Sequence, residues 1–313
     1  MTQTAADSAA RTAGYLAELP DILGSDQRFI DILGRLTAMS ERDYYDPYKL
    51  FDWPESITED AYWMSPELMT VHGTEVGAKL DEAQLRALSK WESVNFYSLN
   101  VHGIRELLTS IVGRIHMPGY AVASEYFHHI IGEENDHMWF FAKFCLDYAG
   151  KIYPDRGMPL AASDVPEADT FLLFARLLIF EELVDVFNQQ MGEDDRLDPT
   201  IRQINKVHHE DESRHIAFGR QIVALLHRDL RKRLGAEQLA DIETYLKRYM
   251  RASVESLCNP AAFRDAGLPE PYALRRAVLA DPVFDEFVHR TFRRSLKFLT
   301  SENIFSDARI PAL

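Results

Sequence analysis

Two short strings in this chain hold residues that can do chemistry: Glu134-Asn135-Asp136-His137, and His208-x-x-x-Glu212-x-x-His215. Positions i, i+3 or i+4 and i+7 of a helix share one face, so Glu134 points with His137, and Glu212 with both His208 and His215. Both strings lie in stretches that otherwise read as buried helix. Carboxylates are rarely buried without partners, and a cluster of this kind calls for a cation. Paired Glu-x-x-His motifs on two helices, with one Glu from each of two further helices, form the ligand layout of carboxylate-bridged di-iron four-helix bundles. Glu and His donors suit iron or manganese, and the lack of Cys ligands disfavours copper(I) and structural zinc.

Four long helices must position those residues. Asp81 caps the first, predicted over about 81–116, and Pro118-Gly119 turns the chain. The second is predicted over about 120–148, stopping at Gly150, and 154–166 reads as a loop. The third spans about 167–191 and ends at Gly192; Asp198-Pro199 opens the fourth, which runs to about 231. Two more helices are predicted near 236–257 and 282–301, and strand signals are nearly absent. The expected class is all-α, a four-helix bundle with extra N- and C-terminal helices in one structural domain. Residues 1–80 form an N-terminal wrapping segment with one helix near 26–39, residues 81–231 the metal-binding core, and 232–313 helices packed on that core. The stretch ERDYYDPYKLFDWPESITEDAYWMSPELM is too apolar for disorder and is expected to wrap the bundle.

Composition excludes several classes. A formal charge of -15 argues against nucleic acid, whose phosphates demand basic surface, and equally against an anionic membrane surface. The two cysteines, Cys145 and Cys258, form no CxxC pair and so no thiolate zinc or iron–sulfur site. The longest apolar run, near 171–180, contains Arg176 and meets Glu181-Glu182, short of the ~18 uncharged residues of a membrane span. The first residues lack the cationic and apolar segments of a secretory signal. A soluble, cytoplasmic protein is expected.

Hairpin geometry selects the remaining carboxylates. Glu106 lies 12 residues before Pro118 and Glu134 lies 15 after Gly119, which places them at nearly one level. About a turn centred near Asp195, Glu181 lies 14 residues before and Glu210 lies 15 after, flanked by His208 and Glu212. Glu92 is the rival to Glu106 on the same helix, but roughly 21 Å further along the axis, and Glu106 is preferred. Glu182 competes with Glu181, rotated from it by ~100°. Asp211 and Asp185 are candidates to accept the second N–H of a metal-bound imidazole. His102, His128, His129 and His209 are not expected to be ligands.

The EENDH and DESRH strings resemble the paired E/D-E-x-x-H motifs of bacterial di-iron oxygenases, ribonucleotide reductase small subunits and acyl desaturases. The third histidine, in His-x-x-x-Glu-x-x-His, resembles that of the p-aminobenzoate N-oxygenase family, the AurF-like di-iron oxygenases of the ferritin-like superfamily. That resemblance covers about 81–231 and implies four Glu and three His as ligands: Glu106, Glu134, His137, Glu181, His208, Glu212 and His215. It implies two iron ions, O2 as co-substrate, and a peroxo intermediate. The implied reaction oxidises a small-molecule amine, an arylamine by preference, in natural-product biosynthesis, and the implied assembly is a homodimer. No G-x-G-x-x-G fingerprint for a flavin or nicotinamide occurs, so an external electron donor is expected. Three other readings stay open: a di-iron C–H hydroxylase or desaturase, a ferritin-like iron-handling protein, and a metal-free interaction bundle.

Overall fold

The computed structural model describes residues 22–58, 60–157, 165 and 168–312. The first residues, read above against a secretory signal, and much of the 154–166 loop lie outside the described residues. Among the described residues the fold is all-α, with one isolated bridge between Tyr62 and Leu197 and no strand. No helix among them is long and apolar enough to cross a membrane.

Helix α1 spans Gln27–Arg42 and is capped by Asp26, whose carboxylate accepts from the Phe29 amide. The core follows as α2 (Glu82–Val112), α3 (Ser124–Ala149), α4 (Asp169–Glu193) and α5 (Pro199–Arg233). Their ends follow the local chemistry. Asp81 and Gln84 form a reciprocal capping box, Asp198 caps α5 ahead of Pro199, and Gly150 closes α3 in the left-handed region at φ 69. Helix α6 (Ala236–Leu257) matches its predicted range.

Helix α4 ends one residue past Gly192, as expected; a Cβ at Gly192 would meet the Lys206 backbone nitrogen at 3.2 Å, so this glycine also lets α4 and α5 approach. Other features differ from the sequence expectation: α2, predicted to about 116, stops at Val112. The helix predicted over 282–301 breaks at Phe292 into α9 (Pro282–Thr291) and α10 (Arg293–Ser301). Two helices without a long periodic signal, α7 (Pro260–Asp265) and α8 (Pro271–Ala280), precede it.

Register between the core helices follows from a few contacts. Tyr97 of α2 stacks on Phe141 of α3 at 5.0 Å, and Cys145 lies beside the Val94 carbonyl, so α2 and α3 are antiparallel. Phe96 stacks on Phe187 at 4.8 Å, and Gly103 is where the Phe180 ring presses against α2, so α4 is antiparallel to α2 as well. Helix α4 is therefore parallel to α3, and the chain between them must return along the bundle. It climbs α2 as it goes: the Tyr153 amide donates to Ser98, its carbonyl meets His102 Nε2, and Asp155 pairs with Arg105. One long crossover of this kind is the connectivity of ferritin-like bundles.

The stretch before α2 lies over α3 and reaches α5. Tyr48 packs on Trp139 at 4.5 Å, Phe51 on Phe140 at 5.2 Å, and Trp63 on Phe144 at 5.6 Å. Phe140, Phe141 and Phe144 are fully buried beneath it, each contributing on the order of 2 kcal/mol by transfer alone. Helix α4 is buried on nearly every side, as its mostly apolar sequence requires, and so forms the middle of the bundle.

Candidate metal centre

Six titratable side chains meet in the middle of the bundle, none more than 5% exposed: Glu134, His137, Glu181, His208, Glu212 and His215. Glu134 and His137 come from α3, Glu181 from α4, and the other three from α5. Helical spacing alone aligns the α5 trio on one face.

The donor atoms fall into two groups that share carboxylates. Glu212 Oε1 lies 2.8 Å from His208 Nε2 and 3.4 Å from His137 Nδ1, while its Oε2 lies 3.3 Å from His215 Nδ1. Glu134 spans the same gap, with Oε2 3.5 Å from His137 Nδ1 and Oε1 2.9 Å from His215 Nδ1. In each group, of His137, His208 and Glu212 and of Glu134, Glu212 and His215, one donor atom per residue lies within 4.8 Å of the others. Glu181 shares a small cavity with Glu134 and His215 and so belongs to the second group. Two carboxylates placed to bridge and three imidazoles facing inward form a donor set for two cations.

Orientation of the outer atoms supports that reading. His137 Nε2 is held by Asp211 at 2.9 Å, His215 Nε2 by Glu133 at 2.7 Å, and His208 Nδ1 by the Asn188 amide at 2.6 Å. The opposite ring nitrogens of all three, both oxygens of Glu134 and Glu212, and Glu181 Oε1 are buried without a hydrogen-bond partner. They approach one another closely yet are not aligned as hydrogen bonds, as expected for lone pairs converging on a shared centre. Buried unpaired donors of this density are costly unless a cation satisfies them. The residues present therefore fit a di-metal group.

Electrostatics carry the same signature. Burial and the neighbouring Glu212 and Glu134 carboxylates push Glu181 well above the usual range. Burial also disfavours charge on Glu212, but His215 and His208 hold it well below. Burial opposes charge on His137 and His215, and their carboxylate partners outweigh it and raise both. His208 is lowered, because burial dominates there.

Glu106 does not join the cluster. It lies exposed on the outer side of α2, and Glu92, the alternative, accepts from the Thr70 amide and hydroxyl away from the other six. The hairpin argument came within two residues of the right level but did not test the rotational phase. Tyr97 meets Asn205 of α5, and Leu107 lines the cavity with Glu134 and His215, so the inward α2 residue level with Glu134 and Glu212 is Ile104. Ile104 is 1% exposed, and Glu106 is turned from it by roughly 200°. Of the other candidates, Glu182 pairs with Arg220, His209 with Asp185, His102 with the Tyr153 carbonyl, and His116 with His128 at the surface.

Sequence reasoning missed Tyr45 and Asn188. The Tyr45 hydroxyl donates to Asp211 at 2.9 Å, and Arg214 closes on the same carboxylate and on Glu133 at 2.7 Å. The Tyr45 signal was its place in an aromatic segment expected to wrap the bundle. Asn188 lies two turns after Glu181 on the same helix face, a spacing that was available to find it.

The cavity beside Glu181 has a volume of about 30 Å³ and is otherwise apolar, with Leu107, Ile130, Phe174, Leu178 and Phe218 among its walls. It holds a water-sized molecule. A ring needs more, since roughly 150 Å³ is the scale of a cavity that takes benzene.

Residues 26–302 match the model of the family described as P-aminobenzoate N-oxygenase AurF. Relatives include the uncharacterized protein Rv0885 of Mycobacterium tuberculosis and the uncharacterized protein Mb0909 of Mycobacterium bovis. Each is 24% identical over 307 residues, covering 93% of this chain and 84% of the relative. Among solved structures, a mutant R2-like ligand-binding oxidase with an anaerobically reconstituted Mn/Fe cofactor aligns at a TM-score of 0.45. It is 12% identical, with 88% of this chain and 87% of that one covered.

Proposed function

Because this chain belongs to the p-aminobenzoate N-oxygenase AurF family of di-metal oxygenases, we propose that it N-oxygenates a small-molecule amine, an arylamine by preference. The observation that carries the reading is the convergence of six buried side chains, three of them imidazoles whose outer nitrogens are already turned to Asp211, Glu133 and Asn188. Two ferrous ions held by Glu134, His137, Glu181, His208, Glu212 and His215 would supply two electrons to dioxygen, the amine the other two, so that with two protons one oxygen atom would end in N–OH and the other in water; an external donor would then return two electrons to the irons.

The protein's own contribution is placement and shelter. Glu134 and Glu212 each present one oxygen to either group and so would hold two cations close. Asp211 and Glu133 fix the His137 and His215 tautomers so that Nδ1 of each faces inward. The apolar walls beside Glu181 exclude bulk water from that side. The half-buried Leu177 is among the residues that line this cavity. The family membership also supports iron as the metal, a homodimer, and a place in natural-product biosynthesis.

The test is single turnover of the ferrous-loaded full chain with O2 and a panel of arylamines that includes p-aminobenzoate. The expected products are the hydroxylamine and its more oxidised forms, at yields that track bound iron. Oxygen consumption with no change in any amine, together with hydroxylation or desaturation of a C–H substrate, would move the chain to the hydroxylase reading.

A further inference from the structure

Four-helix di-metal layouts take one carboxylate from each helix, yet α2 brings none to this centre. Its inward face at the level of Glu134 and Glu212 is the buried Ile104, and one turn earlier is Asn100, fully buried and uncharged. Asn100 Nδ2 returns to the Phe96 carbonyl, and its Oδ1 has no partner. On the opposite side of the centre, Glu181 of α4 supplies the terminal carboxylate of the second group.

The two groups are consequently unlike. One consists of His137, His208 and one oxygen each from Glu134 and Glu212. The other consists of His215, Glu181 and the remaining oxygens of Glu134 and Glu212. His208 thus adds its donor on the side where α2 gives no charge. Donor number is kept, but an anion is replaced by a neutral ring. The two shared carboxylates and Glu181 carry three negative charges against the four positive charges of two divalent cations.

We propose that the two metal positions are inequivalent: a tight, carboxylate-rich one at Glu181 and His215, and an imidazole-rich one at His137 and His208 that binds at least tenfold more weakly because Ile104 stands where a fourth carboxylate would. The proposal rests on the di-metal reading above and adds an order of filling to it. Hard, oxygen-preferring cations such as Mn2+ favour the carboxylate-rich position, while imidazole donors favour iron or cobalt. A charge added at position 104 therefore acts on the weaker position.

The experiment is titration of the metal-free full chain with Co2+, followed by ligand-field absorbance, with Mn2+ binding followed by electron paramagnetic resonance. Wild type is expected to take two equivalents in two steps at least tenfold apart. Ile104→Glu should draw the second step at least tenfold tighter, while Ile104→Gln, similar in shape but uncharged, should leave the steps apart. His208→Ala should remove the weak step and leave the tight one, whereas Glu181→Gln should weaken the tight one. Two equivalents bound in a single step by wild type would overturn the inference even if the position-104 variants fail to fold. So would loss of the tight step in His208→Ala, or equal effects of Glu and Gln at position 104. A wild-type chain that binds neither ion would instead remove the di-metal reading itself.

Discussion

Asp211 accepts a hydrogen bond from His137 Nε2 at 2.9 Å, across the gap between α5 and α3. The same oxygen takes the Tyr45 hydroxyl at 2.9 Å, and Arg214 holds the other. Burial alone would raise this carboxyl, but the His137 bond and the charge of Arg214 bring it down to about 2. Asp211 is therefore ionised across the working range and ties the wrapping segment, α3 and α5 to one imidazole.

Replacing Asp211 with Asn removes that charge while keeping the shape. Loss of such a partner typically costs about 10–100-fold in metal affinity. Asp211→Asn should fall in that range when measured by competition with a chromophoric chelator. Tyr45→Phe removes one of the donors to the carboxylate and leaves Arg214 in place, so its effect should be several-fold smaller. Equal losses in the two variants would show that Tyr45 acts on the centre by another route.

His208 and His209 are adjacent in sequence and differ in everything else. His208 is buried and faces the cluster, whereas His209 is half-buried and bonded to Asp185 on the other side of α5. Ala at His209 should keep amine oxidation within about twofold, the scale of a surface change under ~0.5 kcal/mol. Ala at His208 should reduce it by at least tenfold. Asn188→Leu should behave as a weaker version of His208→Ala. The Asn188 side-chain nitrogen lies 2.6 Å from His208 Nδ1; turning the amide over, so that its unpartnered oxygen accepts from Nδ1–H, frees the Nε2 lone pair for a metal. Activity of His208→Ala at the wild-type rate would remove the third histidine from the mechanism.

The sequence was most legible where period and chemistry coincide. Glu134, His137, His208, Glu212 and His215 follow from i, i+3, i+4 and i+7 spacing within single helices, so no tertiary knowledge was needed to align them. Asp211 was also within reach, as an acid placed beside the paired motif. Glu106 failed because distance from a turn fixes height along a helix and says nothing of rotation, and two residues of phase separate the interior from solvent. Gly192 marked the end of α4 to within one residue, but its second role, a close approach to Lys206, is a contact between helices and was hidden for a similar reason. The wrapping segment that holds Tyr45 was legible, but its bond to Asp211 was not, because the two are 166 positions apart in the chain.

Metal should act as a large part of the protein's stability. Three carboxylates are buried together in the centre, and where no metal is bound their repulsion is met by protons, with Glu181, His137 and His215 all raised. A ligand present at about 1,000 times its Kd stabilises by ~4 kcal/mol, which for a chain of this size corresponds to a Tm rise of about 6 °C. Chelator-stripped protein should therefore melt at least about 6 °C below the Fe2+- or Mn2+-loaded form in differential scanning fluorimetry under anaerobic conditions. Glu212→Gln, which loses a charge placed to bridge both positions, should melt at a temperature that metal no longer moves. An unchanged Tm on loading wild type would show that the carboxylates are held by something other than a cation.

Glu92, set aside as a ligand, should govern a separate pH dependence. Its carboxyl is fully buried, and burial pushes it up to about 7 despite the bonds from Thr70. In the unfolded chain it ionises near the ordinary carboxyl value of 4.5. Below that value both states hold the proton and Glu92 contributes nothing to pH dependence. Between 4.5 and about 7 the unfolded chain releases its proton while the folded one keeps it, so stability falls as pH rises. The loss is complete above the folded value and amounts to about 3 kcal/mol for a shift of this size. Glu92→Gln abolishes the ionisation and keeps an oxygen to accept from Thr70. Relative to wild type, the variant should gain little near pH 4.5 and up to about 3 kcal/mol near pH 8, read from urea midpoints at matched metal loading. Taking the difference between the two proteins cancels the pH dependence of the metal centre itself. A stability difference that stays flat from pH 4.5 to 8 would mean that Glu92 keeps its ordinary acidity in the folded chain.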